Sequence, residues 1–124
     1  MELLERMQSE TSPGIIMDPT KGFIKLYGRS IPNDAESTFR PVLDWMKEYI
    51  QNPQESTVFE CEMDYFNSSS QKYMADIFKM SNQLFKKGKQ IKIVWKYSKE
   101  DEDMKLIGEQ FQNLINFPIV FLEI

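Results

Sequence analysis

Short apolar runs alternate along the chain with longer stretches in which apolar residues recur every three or four positions. The first pattern predicts strands and the second amphipathic helices. Ile15, Ile16 and Met17 form a short strand ending at Asp18-Pro19. Residues 20–22 turn, and Phe23 to Gly28 runs back as a second strand, so the two are expected to form a hairpin. Pro32-Asn33-Asp34 signals a turn and a helix start. Phe39, Val42, Leu43, Met46, Tyr49 and Ile50 then recur at helical spacing. Pro41 is expected in the first turns of this helix or at a kink, and Asn52-Pro53 ends it. Thr57 to Phe66 reads as a strand. Ser68 to Lys87 reads as a helix with Tyr73, Met74, Ile77, Met80, Leu84 and Phe85 as its stripe, and Gly88 follows as a natural cap. Gln90 to Tyr97 is a strand. Glu100 to Asn116 is a third helix carrying Met104, Ile107, Phe111 and Leu114, and Pro118 to Ile124 is a last strand.

The order is therefore β-β-α-β-α-β-α-β. Strands separated by helices are expected to be parallel, with right-handed crossovers. In the third strand Phe59, Cys61, Met63 and Tyr65 point one way and Glu60, Glu62 and Asp64 the other. In the fourth, Ile91, Ile93, Trp95 and Tyr97 oppose Lys92 and Lys96. A parallel sheet covered on both faces reads as continuous apolar runs, and these strands alternate instead. Helices are thus expected mainly on one face, over a partly solvated second face. On that face the acidic and basic rows can pair if the two strands are neighbours.

Composition narrows the function. The chain has 124 residues, 41% of them hydrophobic and 13% aromatic, enough for the core of one domain over 1–124. Residues 1–12 are polar and amphipathic, have no apolar signal-peptide core, and are expected to be a flexible N-terminal segment. The net charge of -4 gives no pull toward nucleic acid or an anionic membrane. Histidine is absent, which excludes a Ser-His-Asp triad, a Cys-His pair and histidine metal sites. Cys61 is the one cysteine, so no internal disulfide forms; its apolar strand face predicts a buried, inert thiol. A reducing, cytoplasmic setting is expected. Trp45 and Trp95 fall in core patterns. The acidic run Glu100 to Asp103 suits a helix start better than a cation site.

The most unusual segment is Asp64-Tyr65-Phe66-Asn67-Ser68-Ser69-Ser70-Gln71. Capping alone is one account, because Ser68 and Gln71 fit an S-x-x-Q capping box worth about 1 kcal/mol. That account needs one serine, or two at most. A helix start also welcomes an anion. A phosphate on Ser68 would keep the fold and add a charge of about -2 to a neutral, hydroxyl-rich surface. A partner docked there would meet repulsion and a desolvation cost.

Four stretches together carry a family likeness covering about Ile15 to Phe121. They are Pro32 with Phe39-x-x-Val42-Leu43-Asp44-Trp45; Tyr65-Phe66-Asn67-Ser68-Ser69-Ser70 with Asp76-Ile77-Phe78; Gly88 with Val94-Trp95-Lys96-Tyr97; and Glu100 to Met104 through Gly108-Glu109-Gln110-Phe111 to Pro118. In these the chain resembles the SiaC family of bacterial regulatory phosphoproteins, relatives in fold of the STAS-domain anti-sigma-factor antagonists. The resemblance implies a STAS-like (SpoIIAA-like) α/β fold with a mixed five-strand sheet. It implies a partner-switching protein without catalysis or a cofactor of its own. The acceptor it implies is the hydroxyl residue after the Asn of an N-[TS]-S-S motif, here Ser68, phosphorylated by a dedicated kinase and dephosphorylated by a PP2C-type phosphatase. The unphosphorylated form would bind and activate a downstream protein, a diguanylate cyclase making cyclic di-GMP in the SiaC case, or an anti-sigma-like protein in other switches. Two departures stand out. The family's usual Thr is Ser here, which leaves Ser69 and Ser70 as rival acceptors, and the usual Glu-Asn after Pro32 reads Asn33-Asp34. Tyr65, Phe66, Asn67, Ser69 and Ser70 are the candidate partner-binding residues.

Two rival readings remain open. A small-molecule or anion binder would show a deep pocket beside Ser68, where the switch predicts an exposed convex turn. An enzyme working through Glu60, Glu62 and Asp64 would hold those carboxylates in a cleft.

Overall fold

The period-two segments pair side by side in chain order. The computed structural model describes residues 1–124. Its sheet runs β1 (Leu4–Arg6), β2 (Gly14–Asp18), β3 (Phe23–Ser30), β4 (Ser56–Phe66), β5 (Gln90–Tyr97) and β6 (Val120–Glu123), each hydrogen-bonded to the next. The first three strands are antiparallel and the last four parallel. Each parallel step crosses through a helix: α1 (Ala35–Gln51), α2 (Ser68–Lys86), then α3 (Glu102–Phe111) with a 3-10 turn at Gln112–Leu114. The fold is α/β with a mixed sheet. The expected five strands are corrected to six, and the N-terminal segment is not free. Leu4 packs against the core, the Trp45 indole N–H donates to the Glu2 carbonyl at 3.1 Å, and β1 pairs along β2.

All three helices cover one face. Ile15, Met17, Ile24, Leu26, Phe59, Cys61, Ile93 and Trp95 from the strands meet Phe39, Val42, Met46, Met74, Ile77, Phe78, Met104 and Phe111 from the helices in one buried cluster. Trp45 and Trp95 belong to it, as expected. Cys61 is buried there too, and burial pushes its thiol well above the usual range. The opposite face is open. There Glu60 lies 3.8 Å from Lys25 and 3.4 Å from Lys96, and Glu62 lies 3.8 Å from Lys96. Such cross-strand pairs contribute about 0.2–1 kcal/mol each. The predicted pairing of acidic and basic rows is met through Lys96 alone, with Lys25 of β3 as a further partner, while Lys92 and Asp64 enter no ion pair; Glu60 and Glu62 are thus engaged on a surface rather than in a cleft.

Local rules set the helix ends. The Asp34 carboxylate accepts from the Ser37 N–H at 3.1 Å and starts α1. Pro41 lies in the second turn, where its ring leaves one helical carbonyl without its usual donor. At the end of α2, Gly88 takes φ +82°; its N–H bonds the Phe85 carbonyl and the Lys89 N–H the Leu84 carbonyl. That double return is a Schellman cap. The third helix is shorter than its apolar spacing predicts. Asp101 caps it by accepting from the Met104 N–H at 3.0 Å. At the other end the Gln112 amide donates to the Phe117 carbonyl and accepts from the Ile119 N–H, so the chain turns off before Asn116. Helices α1 and α2 are clasped at the surface. The Tyr73 hydroxyl donates to Glu36 at 2.6 Å, and Tyr73 stacks on Phe39. The Arg40 guanidinium, and then that Tyr73 hydroxyl, hold the Glu36 carboxyl down at about 2.

Candidate functional site

A bulge shapes the end of β4. Gly28 pairs with Met63, but Arg29 pairs with Tyr65, so Asp64 is the extra residue on the bulged strand. The shift breaks the strand's alternation. Met63 and Phe66 both point inward, and Tyr65, expected on the apolar face beside Met63, is 53% exposed. Phe66 is only 5% exposed and packs 6.4 Å from both Trp95 and Phe111. Of the two aromatic candidates for partner binding, Tyr65 is thus presented to solvent. Phe66 is corrected to a core residue that touches the site from below.

The turn that follows is tied to β3. The Asn67 N–H donates to the Ser30 carbonyl at 3.0 Å. The Asn67 side chain accepts from the Ser70 N–H at 2.9 Å, so Asn67 is the N-cap of α2 and Ser68 its first helical residue. This corrects the capping-box expectation: the cap uses Asn67, and the Ser68 hydroxyl takes no part in it. The three serines then differ in kind. Ser68 and Ser69 are exposed. Ser70 is 0% exposed; its hydroxyl lies 2.7 Å from that of Ser30, which is also buried, and donates to the Ser30 carbonyl at 3.1 Å. Ser70 therefore cannot meet a kinase or a partner while α2 stays docked, and its place among acceptor and contact candidates is corrected on that ground.

Beside Ser68 runs an open groove of about 420 Å³, walled by the end of β4, the first turns of α2 and the start of α3. Asp64, Tyr65, Phe66, Ser68 and Gln71 form one side; Asp101, Asp103, Met104, Leu106 and Ile107 form the other. Neither the convex turn expected of a switch nor the deep pocket expected of a binder describes it: Ser68 stands in the wall of an open trough. Three carboxylates line it, and no lysine or arginine does. Helix α3 enters the site through Asp103, Leu106 and Ile107; the sequence reading places Asp103 at the helix start and Ile107 in the apolar stripe, and does not single out Leu106. Their one signal in the sequence is Leu106, an apolar residue off the buried stripe of its helix.

Comparison with known proteins places this geometry. The family model described as SiaC family regulatory phosphoprotein matches residues 6–124. An uncharacterized protein of Pseudomonas aeruginosa (strain UCBPP-PA14) is 26% identical over 110 residues, covering 89% of this chain and 87% of its own length. Among solved structures, SiaC of Pseudomonas aeruginosa superposes with a TM-score of 0.91 at 23% identity over the whole of both chains. The crystal structure of diguanylate cyclase SiaD in complex with its activator SiaC, from the same organism, gives 0.91 at 24% identity, covering 98% of this chain and 99% of that one. Strands β2 to β6, the three helices and the Asn67-Ser68 turn all fall within a family match that begins at Arg6, the last residue of β1, and runs to the last residue, and the chain belongs to the SiaC family of regulatory phosphoproteins.

Proposed function

We propose that this protein is a phosphorylation-controlled partner switch in bacterial signalling, with Ser68 as its acceptor and a diguanylate cyclase as the downstream target of its unphosphorylated form. One observation carries the reading. The hydroxyl that the family motif points to is exposed, is not used by the helix cap, and stands in the wall of a groove with exposed apolar side chains. A phosphoryl group there would bring about two negative charges beside three carboxylates and against Tyr65 and Ile107. The burial of that charge under a partner would be costly, so docking would fail. Asn67 and Ser70 hold the acceptor turn in place, and Ser69 is the remaining exposed rival.

Support for the target comes from the relatives: SiaC of Pseudomonas aeruginosa is named as the activator of the diguanylate cyclase SiaD. A kinase bringing ATP and Mg²⁺ and a PP2C-type phosphatase complete the proposed cycle in the cytoplasm, along the lines of STAS-type antagonists. The protein itself would contribute a surface and a hydroxyl, not catalysis. No helix is long and apolar enough to cross a membrane. The anion-binding alternative is disfavoured by the groove's own charge, since three carboxylates and no cation repel such a ligand.

Intact mass and peptide mapping on protein purified from its own host, beside Ser68→Ala, test the acceptor. The expected result is a phosphate on the peptide spanning residues 64–72 that the variant lacks. Cyclic di-GMP formation by the host's purified diguanylate cyclases, with unphosphorylated protein added, tests the output. A chain that never carries phosphate and stimulates no cyclase is not this switch.

A further inference from the structure

We propose that the groove beside Ser68 receives a partner segment carrying arginine or lysine side chains around a large apolar one. The inference rests on the reading that partners dock where Ser68 lies, and it adds the chemistry of what docks there. The first observation is apolar exposure. Tyr65 and Leu106 are each 53% exposed, and outside the first seven and the last five residues the only other exposed large apolar residue is Phe85, at 43%. Two of these three therefore stand on a single groove. Exposed apolar side chains gathered on one concavity mark an interaction site, and an aromatic anchor is the usual centre of its binding energy.

The second observation is charge. Asp64, Asp101 and Asp103 line the groove without a lysine or arginine among its walls. The ion pairs of the molecule engage Glu36, Asp44, Glu55, Glu60 and Glu62, and none of these three. A partner that covered them with apolar or acidic surface would strip water from three carboxylates of which only Asp101 has a partner, the Met104 N–H that it caps, and that is strongly unfavourable. A partner supplying cations pairs with them and is steered toward them from solution. Apolar contact to Tyr65 and Leu106, with cations on either side, is thus the composition that satisfies the whole lining. The groove between α1 and α2 has the opposite character. Arg40, Lys47 and Lys79 line it with a single carboxylate, Asp76, so it serves as an internal control.

The test is an amide-resolved NMR titration of the unphosphorylated protein with two synthetic amphipathic peptides of about 14 residues, roughly four helical turns. One is built of leucine and arginine, the other of leucine and glutamate. The expected result is saturable shifts at residues 64–68 and 101–107 with the arginine peptide only. Asp64→Lys with Asp103→Lys, both at exposed positions, should weaken that binding by about tenfold or more; Leu106→Ala should weaken it without changing charge. Lys47→Glu with Lys79→Glu should leave it intact. Equal binding of the glutamate peptide, shifts confined to other surfaces, or indifference to both groove variants would overturn the proposal. So would shifts at the groove that grow with protein concentration alone and move with those of Phe85 and Lys86, because the occupant would then be a second copy. The titration needs no phosphate, so its failure counts against the groove's partner chemistry, whereas an unphosphorylated Ser68 in the host counts against the switch.

Discussion

Asn67 and Ser68 are adjacent in sequence and separate in role. The amide oxygen of Asn67 satisfies the Ser70 N–H, and its backbone N–H is anchored on Ser30. The Ser68 hydroxyl does neither. Asn67→Ala should therefore cost about 1 kcal/mol, within the 0.5–2 kcal/mol range of lost caps. Ser68→Ala should stay within about 0.5 kcal/mol, as exposed substitutions usually do. Urea midpoints with an unchanged slope measure both. If Ser68→Ala costs as much as Asn67→Ala, the serine is structural and its freedom for modification is lost as an argument. The sequence could not separate these two residues. Asn and Ser are equally good caps, and Gln71 sits at the spacing that makes Ser68 look like the capping member. Only the backbone, with Asn67 extended and Ser68 already helical, decides between them.

At the scale of elements, periodicity carried most of the fold. The hairpin, both central strands and the two long helices lie within a residue or two of where their patterns put them. Apart from α3, which its own Gln112 ends early, the failures share a cause: each depends on a contact distant in sequence. Three residues, Leu4 to Arg6, are too few to show a period, and β1 exists because β2 offers an edge. The bulge at Asp64 reverses the side of Tyr65 through pairing with β3, which no spacing within β4 announces. The groove needs α3 to lie close to the start of α2. That closeness has its own device in Gly108, whose missing side chain lets α3 settle on Trp95. A Cβ there would lie 2.6 Å from the indole nitrogen and 2.7 Å from its neighbouring carbon. The same indole donates to the Met104 carbonyl at 3.0 Å. Gly108→Ala gains helix propensity, about 1 kcal/mol, but must push the helix off the ring, and overpacking of this kind costs about 1–3 kcal/mol. The net expectation is a loss of stability together with amide shifts along residues 101–111 and at Tyr65, read by denaturation and NMR. A stabilised variant with an unmoved α3 would mean that the contact is soft.

Across the whole molecule, the sheet keeps its antiparallel edge apart from the proposed docking groove. Strand β1 closes the antiparallel side, while the groove lies on the parallel side, where β4 ends between α2 and α3. Deleting residues 1–7 should remove the pairing along β2, the partner of the Trp45 indole, and the cover that Leu4 gives the core. The indole exchanges its carbonyl for water, a net loss of about 0.5–1.5 kcal/mol, and the lost apolar burial adds to it. For a chain of this size each kcal/mol lowers the melting temperature by about 2–8 °C. The bared β2 edge would also offer unpaired backbone to another chain, so association in light scattering should accompany the lower melting point. While the truncated protein remains folded, its groove should still take the arginine-bearing peptide, because β1 lines none of it. Unchanged melting would show that β1 rests on the sheet without supporting it. Loss of peptide binding below the melting point would show that the edge and the groove form one cooperative unit, in which a partner at Ser68 would feel the state of the N-terminal strand.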